Sequence, residues 1–165
     1  MFSSQSITRM GKKMLLRLIS ISTAVAMTIG ISTHAVGDTT PEDAFDYRKA
    51  IMTTLRGHLV AASMTMRGLV DDHGQIANHA RSIANSTREL HNIFQEGSNI
   101  VDSESLPAIW EEPEDFAVAI SKVQEAADAF VAAADSGDSA TIGRAFRDLG
   151  GSCRGCHDEF RVAQN

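Results

Sequence analysis

Residues 153–160 read Cys153-Arg154-Gly155-Cys156-His157-Asp158-Glu159-Phe160 and hold both cysteines of the 165-residue chain. On an α-helix, which turns by about 100° per residue, Cys156 lies about 60° to one side of Cys153 and His157 about 40° to the other. The three side chains therefore share one face with Leu149 and Phe160. Such a face packs against other helices, so the segment predicts the last helix of a helical domain, with both thiols directed inward.

Four segments carry apolar residues at alternating intervals of three and four, the pattern of amphipathic helices. Each stripe repeats every seven residues, which is typical of nearly antiparallel helices packed at shallow angles. The sequence therefore predicts an all-α fold, an antiparallel up-down-up-down four-helix bundle. The predicted inward residues are Phe45, Met52, Leu55, Leu59, Ala62 and Met66, then Ile76, Ala80, Ile83, Thr87, Leu90 and Phe94, then Phe116, Ile120, Val123, Ala127, Phe130 and Ala134, and finally Ile142, Ala145, Phe146, Leu149, Cys153, Cys156 and Phe160.

Capping and turn residues set the predicted ends of these helices. The longest connection, about residues 97–112, lies between the second and third helices. The expected boundaries are Thr40-Pro41 at the start of the first helix, Gly68 at its end, Gly97-Ser98 after the second, Pro113 at the start of the third, Ser136-Gly137 at its end and Asp138 as the cap of the fourth.

The first 35 residues have the composition of an export signal. Four basic residues precede the apolar run 18–31, small residues follow it, and the segment contains no acid. The alternative is a membrane anchor, but about 14 apolar residues fall short of the roughly 20 that a spanning helix needs. We therefore expect a signal peptide over residues 1–35, cleaved near Ala35, a bundle domain over residues 36–165, and a periplasmic location.

The charge of the chain argues against nucleic acid as a partner. Removal of residues 1–35 takes away four basic groups and no acids, so the net charge changes from −6 to −10. A surface that binds phosphates needs a basic patch, and the sequence contains none.

Several chemistries use paired cysteines. A redox dithiol has its first cysteine at a helix N-terminus after a strand, whereas this pair is predicted deep inside the last helix of an all-helical chain. A structural zinc site needs four ligands, and the chain has no further cysteine to complete one. A disulfide between two cysteines in one helical turn would be strained. Covalent haem attachment needs two thiols one turn apart, which form thioethers with the two vinyl groups, and an adjacent imidazole for the iron. We therefore expect one haem c, attached at Cys153 and Cys156, with His157 as the proximal iron ligand.

The whole predicted bundle resembles the cytochrome c′ family, the class II c-type cytochromes. The position of the haem motif at the end of the chain and a Leu-Pro-x-Ile-Trp loop carry this resemblance. The matching segments are Tyr47-Arg48-Lys49-Ala50-Ile51-Met52, Phe94-Gln95-Glu96-Gly97-Ser98, Leu106-Pro107-Ala108-Ile109-Trp110 and Gly151-Ser152-Cys153-Arg154-Gly155-Cys156-His157-Asp158-Glu159-Phe160-Arg161.

The two branches of the family differ in the distal iron ligand, and the resemblance places Met52 at the position of that ligand. Helical spacing places Met52 on the inward stripe, where a methionine is either a core filler or a ligand. The resemblance implies a low-spin haem with Met52 as sixth ligand, hence one-electron transfer between periplasmic redox partners without a substrate or enzymatic reaction. The alternative is a five-coordinate, high-spin protein that binds nitric oxide or carbon monoxide.

The resemblance also assigns surroundings to the haem. It implies that Arg48 helps to hold a haem propionate, the alternative being a solvated surface arginine, and that Arg161 lies beside the proximal imidazole. Trp110 either packs against the haem edge or belongs to the ordinary core.

The other histidines of the predicted bundle do not fall on its inward stripes. His58 falls outside the inward stripe, which disfavours it as a rival iron ligand. We interpret His73, His79 and His91 as surface residues in turns or on polar helix faces, and no pair among these three is expected to form a site. A monomer or a homodimer is compatible with the sequence; the resemblance implies that a dimer would form through the first two helices.

Overall fold

The computed structural model describes residues 39–163, and within this range it is helical without a β-strand. The four long helices form the predicted four-helix bundle. The predicted signal peptide lies outside the described residues, and no helix within them is both long and apolar enough to cross a membrane. The helices are α1 (Pro41–Met66), α2 (Gln75–Thr87), the short α3 (Ala108–Glu111), α4 (Pro113–Ser136) and α5 (Ser139–Phe160).

The helix starts follow the predicted capping residues. The side chain of Thr40 accepts a hydrogen bond from the Asp43 backbone N–H at 3.1 Å, and Pro41 occupies the first turn of α1. Asp138 caps α5 in the same way, since its carboxylate accepts from the Thr141 N–H at 2.8 Å. Both side chains satisfy donors that the first helical turn leaves free.

Helix α2 is shorter than predicted. It ends at Thr87, and Leu90 and Phe94 lie in the turns that follow. The carbonyl of Thr87 accepts from Gln124 Nε2 of α4 at 3.0 Å and from the Leu90 N–H at 3.2 Å, and these bonds tighten the chain into turns. The prediction of a helix through Phe94 is therefore wrong, although Leu90 remains in the core with 5% of its surface exposed.

The core consists of two clusters along the bundle. One surrounds Phe130, which is fully buried and stacks at a tilt on Phe146 with 5.4 Å between ring centroids. The other surrounds Phe116, whose ring meets those of Phe94 and Phe160 edge-on at 4.9 and 5.0 Å. The Phe130 cluster contains Ala62, Ile76, Ala80, Ile83, Ala84, Ala127, Phe130, Ala133, Ile142 and Leu149, and the Phe116 cluster contains Leu90, Ile93, Ile109, Phe116, Ala119, Ile120, Val123 and Phe160.

The bundle is packed unevenly around its circumference. Close packing joins α1 to α2, α2 to α4 and α4 to α5, whereas α1 and α5 are not joined in this way. In a closed bundle these two helices would also be neighbours. The inward residues Met52, Leu55 and Leu59 of α1 accordingly remain only half-buried. We call the interval between α1 and α5 the α1–α5 seam.

Candidate haem site

The two cysteines lie on α5, the helix that borders the seam. Both are free thiols, half-buried, and both pack against the Phe116 cluster. Burial raises the pKa of Cys153, and it raises that of Cys156 to about 11, with smaller contributions from Cys153 and Glu159. Protonated, partly buried thiols do not suit a redox dithiol, which depends on a stabilised thiolate.

His157 follows Cys156 directly on α5. The residue as a whole is exposed, yet partial loss of water around its ring lowers the pKa, and the positive charge of Arg161 lowers it further, against an opposing effect of Asp158. These influences favour the neutral imidazole, which is the form that binds a metal ion.

Met52 lies on α1, the other helix that borders the seam. It is half-buried and packs against the same Phe116 cluster as Cys153 and Cys156. The predicted inward orientation is thus confirmed. Met66, further along the same stripe, packs instead against the Phe130 cluster.

These residues fit a covalently attached haem. A porphyrin is flat and largely apolar, and the apolar residues Ile51, Met52 and Leu55 of α1 pack against the same Phe116 cluster as both cysteines. The attachment thiols lie one turn apart on one border of the seam, and the imidazole of His157, whose lowered pKa favours the neutral form, follows them directly in the chain. No group of three or more His, Cys, Asp or Glu residues within 39–163 offers a competing metal site.

Arg48 is buried in α1, with 4% of its surface exposed, so the alternative of a solvated arginine is wrong. Its Nη1 donates to Ser98 Oγ at 2.8 Å and to the Ile93 carbonyl at 3.3 Å, and its Nη2 donates to the Ser98 carbonyl at 3.0 Å and to Ser103 Oγ at 3.3 Å. Burial lowers the pKa of its guanidinium. The side chain thereby holds the connection after α2 in place, and a contact with a propionate stays a prediction.

Arg161 follows α5 and is held by the loop before α3. Its Nε donates to Glu104 Oε2 at 2.8 Å, and Nη2 donates to the same oxygen. The backbones are also tied together, because the Leu106 N–H donates to the Phe160 carbonyl at 3.0 Å and the Val162 N–H to the Glu104 carbonyl at 2.8 Å. The charge of Arg161 lowers the pKa of His157, and a place beside a haem-bound imidazole stays a prediction.

Trp110 lies in α3, half-buried against the Phe116 cluster. Its indole Nε1 donates to the Phe94 carbonyl at 3.2 Å. This hydrogen bond ties α3 to the turns after α2. The packing agrees with a core role, and a contact with the haem edge stays a prediction.

Sequence reasoning missed several residues that support the site. Ser98 and Ser103 accept hydrogen bonds from Arg48, and Glu104 accepts them from Arg161. Single polar residues in a loop show no periodic pattern, so the sequence does not reveal them. Sequence reasoning also missed the contact of His79 with His58 across α1 and α2, where both residues are half-buried and the Nδ1 atoms lie 3.0 Å apart.

Fold and site together define a c-type haem protein built on a four-helix bundle. The family model described as Cytochrome C′ matches residues 43–161, and the chain belongs to the cytochrome c′ family. It accordingly binds one covalently attached haem c with iron, and it has the two cysteines for that attachment.

Individual relatives agree with this membership. Cytochrome c′ of Rhodospirillum rubrum is 34% identical over 140 residues, which cover 84% of this chain and 95% of the relative. Cytochrome c prime of Shewanella frigidimarina superposes with a TM-score of 0.70 at 30% identity, covering 75% of this chain and 98% of that one. A nitric oxide complex of a variant cytochrome c prime from Alcaligenes xylosoxidans superposes with a TM-score of 0.69 at 27% identity, covering 75% of this chain and 98% of that one.

Proposed function

We propose that the protein is a periplasmic haem protein that binds nitric oxide or carbon monoxide at a five-coordinate, high-spin iron. The observation that carries this proposal is the apolar character of the α1 side of the seam. There Ile51, Met52 and Leu55 pack against the Phe116 cluster. Apolar side chains suit a small, nearly nonpolar gas, and the nitric oxide complex solved for the Alcaligenes relative supports the same function.

Each site residue has a distinct task under this proposal. Cys153 and Cys156 would hold the porphyrin by thioether bonds, and His157 would bind its iron. Met52 would supply an apolar side chain close to the bound gas, and its flexible thioether could move aside for a ligand of two atoms. Bound haem supplies the iron at which the gas is taken up. His58 does not compete for that position, because it lies about 120° away from Met52 around the axis of α1.

A second function is favoured by the placement of Met52. This residue packs on the same cluster as both cysteines, and a thioether is a suitable sixth ligand for haem iron. With Met52 and His157 as axial ligands the iron would be low-spin, and the protein would transfer single electrons between periplasmic donor and acceptor proteins. Both functions leave the protein without a substrate to transform, so neither makes it an enzyme.

Absorption spectra of the purified holoprotein separate the two functions. Gas binding predicts a high-spin ferric spectrum, rapid uptake of carbon monoxide by the ferrous form, and little change in Met52→Leu. Electron transfer predicts a low-spin spectrum with a charge-transfer band from methionine to ferric iron, which Met52→Leu would convert to high-spin. Met66→Leu is the matched control, because Met66 lies on the same stripe but packs against the Phe130 cluster.

Two further measurements test the attachment and the location. Acidified organic solvent should leave the pigment on the wild-type chain and should extract it from a Cys153→Ser, Cys156→Ser variant, since only thioethers resist this treatment. Cell fractionation should place the mature chain in the periplasm with its N-terminus near residue 36. A colourless protein, or a pigment that is extracted from the wild type, would contradict the proposal.

A further inference from the structure

Two histidines face each other across the contact between α1 and α2. The Nδ1 atoms of His58 and His79 lie 3.0 Å apart, with ring centroids 5.2 Å apart and ring planes tilted by 46°. Both residues are half-buried. In the metal-free pair one Nδ1 carries a proton and donates it to the lone pair of the other.

The pair is separate from the haem site. His58 follows Met52 by six residues, about 9 Å along α1, and lies about 120° away from it around the helix axis. The other described histidines of this part of the chain, His73 and His91, are exposed. No third His, Cys, Asp or Glu joins His58 and His79 within the described range.

We propose that His58 and His79 form a binding site for divalent copper, with both Nδ1 atoms as ligands and water in the remaining positions. Imidazole nitrogens bind such ions at about 2.0–2.1 Å, so two of them that kept the 3.0 Å separation of the hydrogen-bonded pair, with both rings turned to aim their lone pairs at the ion, would subtend about 95° at the metal. This angle is close to the right angle between neighbouring ligands in the tetragonal geometry of copper(II). It is well below the roughly 110° of the tetrahedral geometry that zinc adopts.

Binding requires a change of tautomer but no redox step. Both Nδ1 atoms must offer a lone pair, so the proton that they share leaves Nδ1 of the donor ring. The same ring takes up a proton at Nε2 from solvent and remains neutral. Two nitrogen–copper bonds form, two water ligands leave the ion, and no oxidant or reductant is needed.

The position of the pair predicts a mechanical consequence. His58 belongs to α1 and His79 to α2, and α1 is joined closely to α2 but not to α5. A copper ion shared by the two rings would fasten α1 to its one close neighbour among the long helices. A ligand that binds only the folded state raises the unfolding temperature, so copper should stabilise the holoprotein.

The experiment uses ferric holoprotein, so that copper(II) cannot exchange electrons with a ferrous haem. Copper sulfate is titrated into wild type, His58→Gln and His79→Gln by calorimetry, and the unfolding temperature is recorded with and without copper. Each substitution should weaken copper binding by roughly tenfold or more. Copper should raise the unfolding temperature of the wild type only. His73→Gln and His91→Gln are matched controls that should bind as the wild type does.

Electron paramagnetic resonance of the copper complex tests the ligands without relying on a variant. The wild type should show a tetragonal copper(II) signal with coupling to two imidazole nitrogens. Coupling to fewer than two, equal binding by the His58→Gln and His79→Gln variants, or zinc affinity that equals or exceeds that of copper would each overturn the proposal.

Discussion

The guanidinium of Arg48 holds both the side chain and the backbone of Ser98. Nη1 donates to Ser98 Oγ at 2.8 Å, and Nη2 donates to the Ser98 carbonyl at 3.0 Å, across 50 residues of sequence. The Ser98 hydroxyl in turn donates to the Gln95 carbonyl at 2.6 Å, which closes the turn. One cation on α1 thereby fixes the segment that leads from α2 towards Glu104, which binds Arg161, and Trp110, which packs against the Phe116 cluster.

Replacement of Arg48 by alanine should therefore cost more than the loss of one hydrogen bond. The change would leave the Ser98 and Ile93 carbonyls without this donor in a buried region, which costs about 1–3 kcal/mol for each unsatisfied group. We expect the free energy of unfolding to decrease by roughly 3 kcal/mol, measured by urea denaturation of the ferric holoprotein. Arg56→Ala, at an exposed position of the same helix, should change it by less than about 0.5 kcal/mol. Equal effects would contradict the anchoring role.

Features that depend on residues close in sequence were predictable. These are the helical stripes, the caps Thr40 and Asp138, and the haem motif. The end of α2 was not predictable, since Gln124 of α4 competes for the Thr87 carbonyl. The contact of His58 with His79 likewise depends on how α1 and α2 are rotated relative to each other. The apolar pattern of a single helix carries no information about that rotation.

The Phe130 cluster should carry much of the stability that does not depend on haem. Phe130 is fully buried, and its truncation to alanine would leave a cavity that the neighbouring helices can fill only in part. We expect a loss of about 4 kcal/mol in the free energy of unfolding for Phe130→Ala. The control is Val118→Ala on the same helix, where the side chain is 52% exposed and the expected change is below about 0.5 kcal/mol. A loss below about 1 kcal/mol for Phe130→Ala would contradict the assignment of Phe130 to the core.

The N-cap of α5 should make stability depend on pH. Hydrogen bonds from the side chain and then the backbone of Thr141 lower the pKa of Asp138 below its ordinary value of 3.8. A carboxylate with a lowered pKa in the folded state stabilises the protein fully above the ordinary pKa, and this contribution is lost as the pH falls through the lowered value. Asp138→Ala should thus lower Tm by about 3 °C at pH 7, and the difference from wild type should shrink as the pH falls below about 3.8. Asp102→Ala in an exposed loop is the control, and a difference in Tm that persists unchanged in acid would argue against the cap.

The ion pair of Arg161 and Glu104 should adjust the electrostatic environment of His157. Glu104 accepts two hydrogen bonds from the guanidinium, so Glu104→Gln removes a negative charge that partly offsets Arg161 next to the imidazole. Added net positive charge disfavours the ferric state, and the reduction potential of the holoprotein should increase. Because both partners are about half exposed, we expect a shift of less than about 60 mV, which corresponds to about 1.4 kcal/mol for one electron. The shift is measured by redox titration. As a control, Glu125→Gln on the exposed side of α4 should leave the reduction potential unchanged. A lower reduction potential in Glu104→Gln would show instead that the carboxylate acts mainly by orienting Arg161.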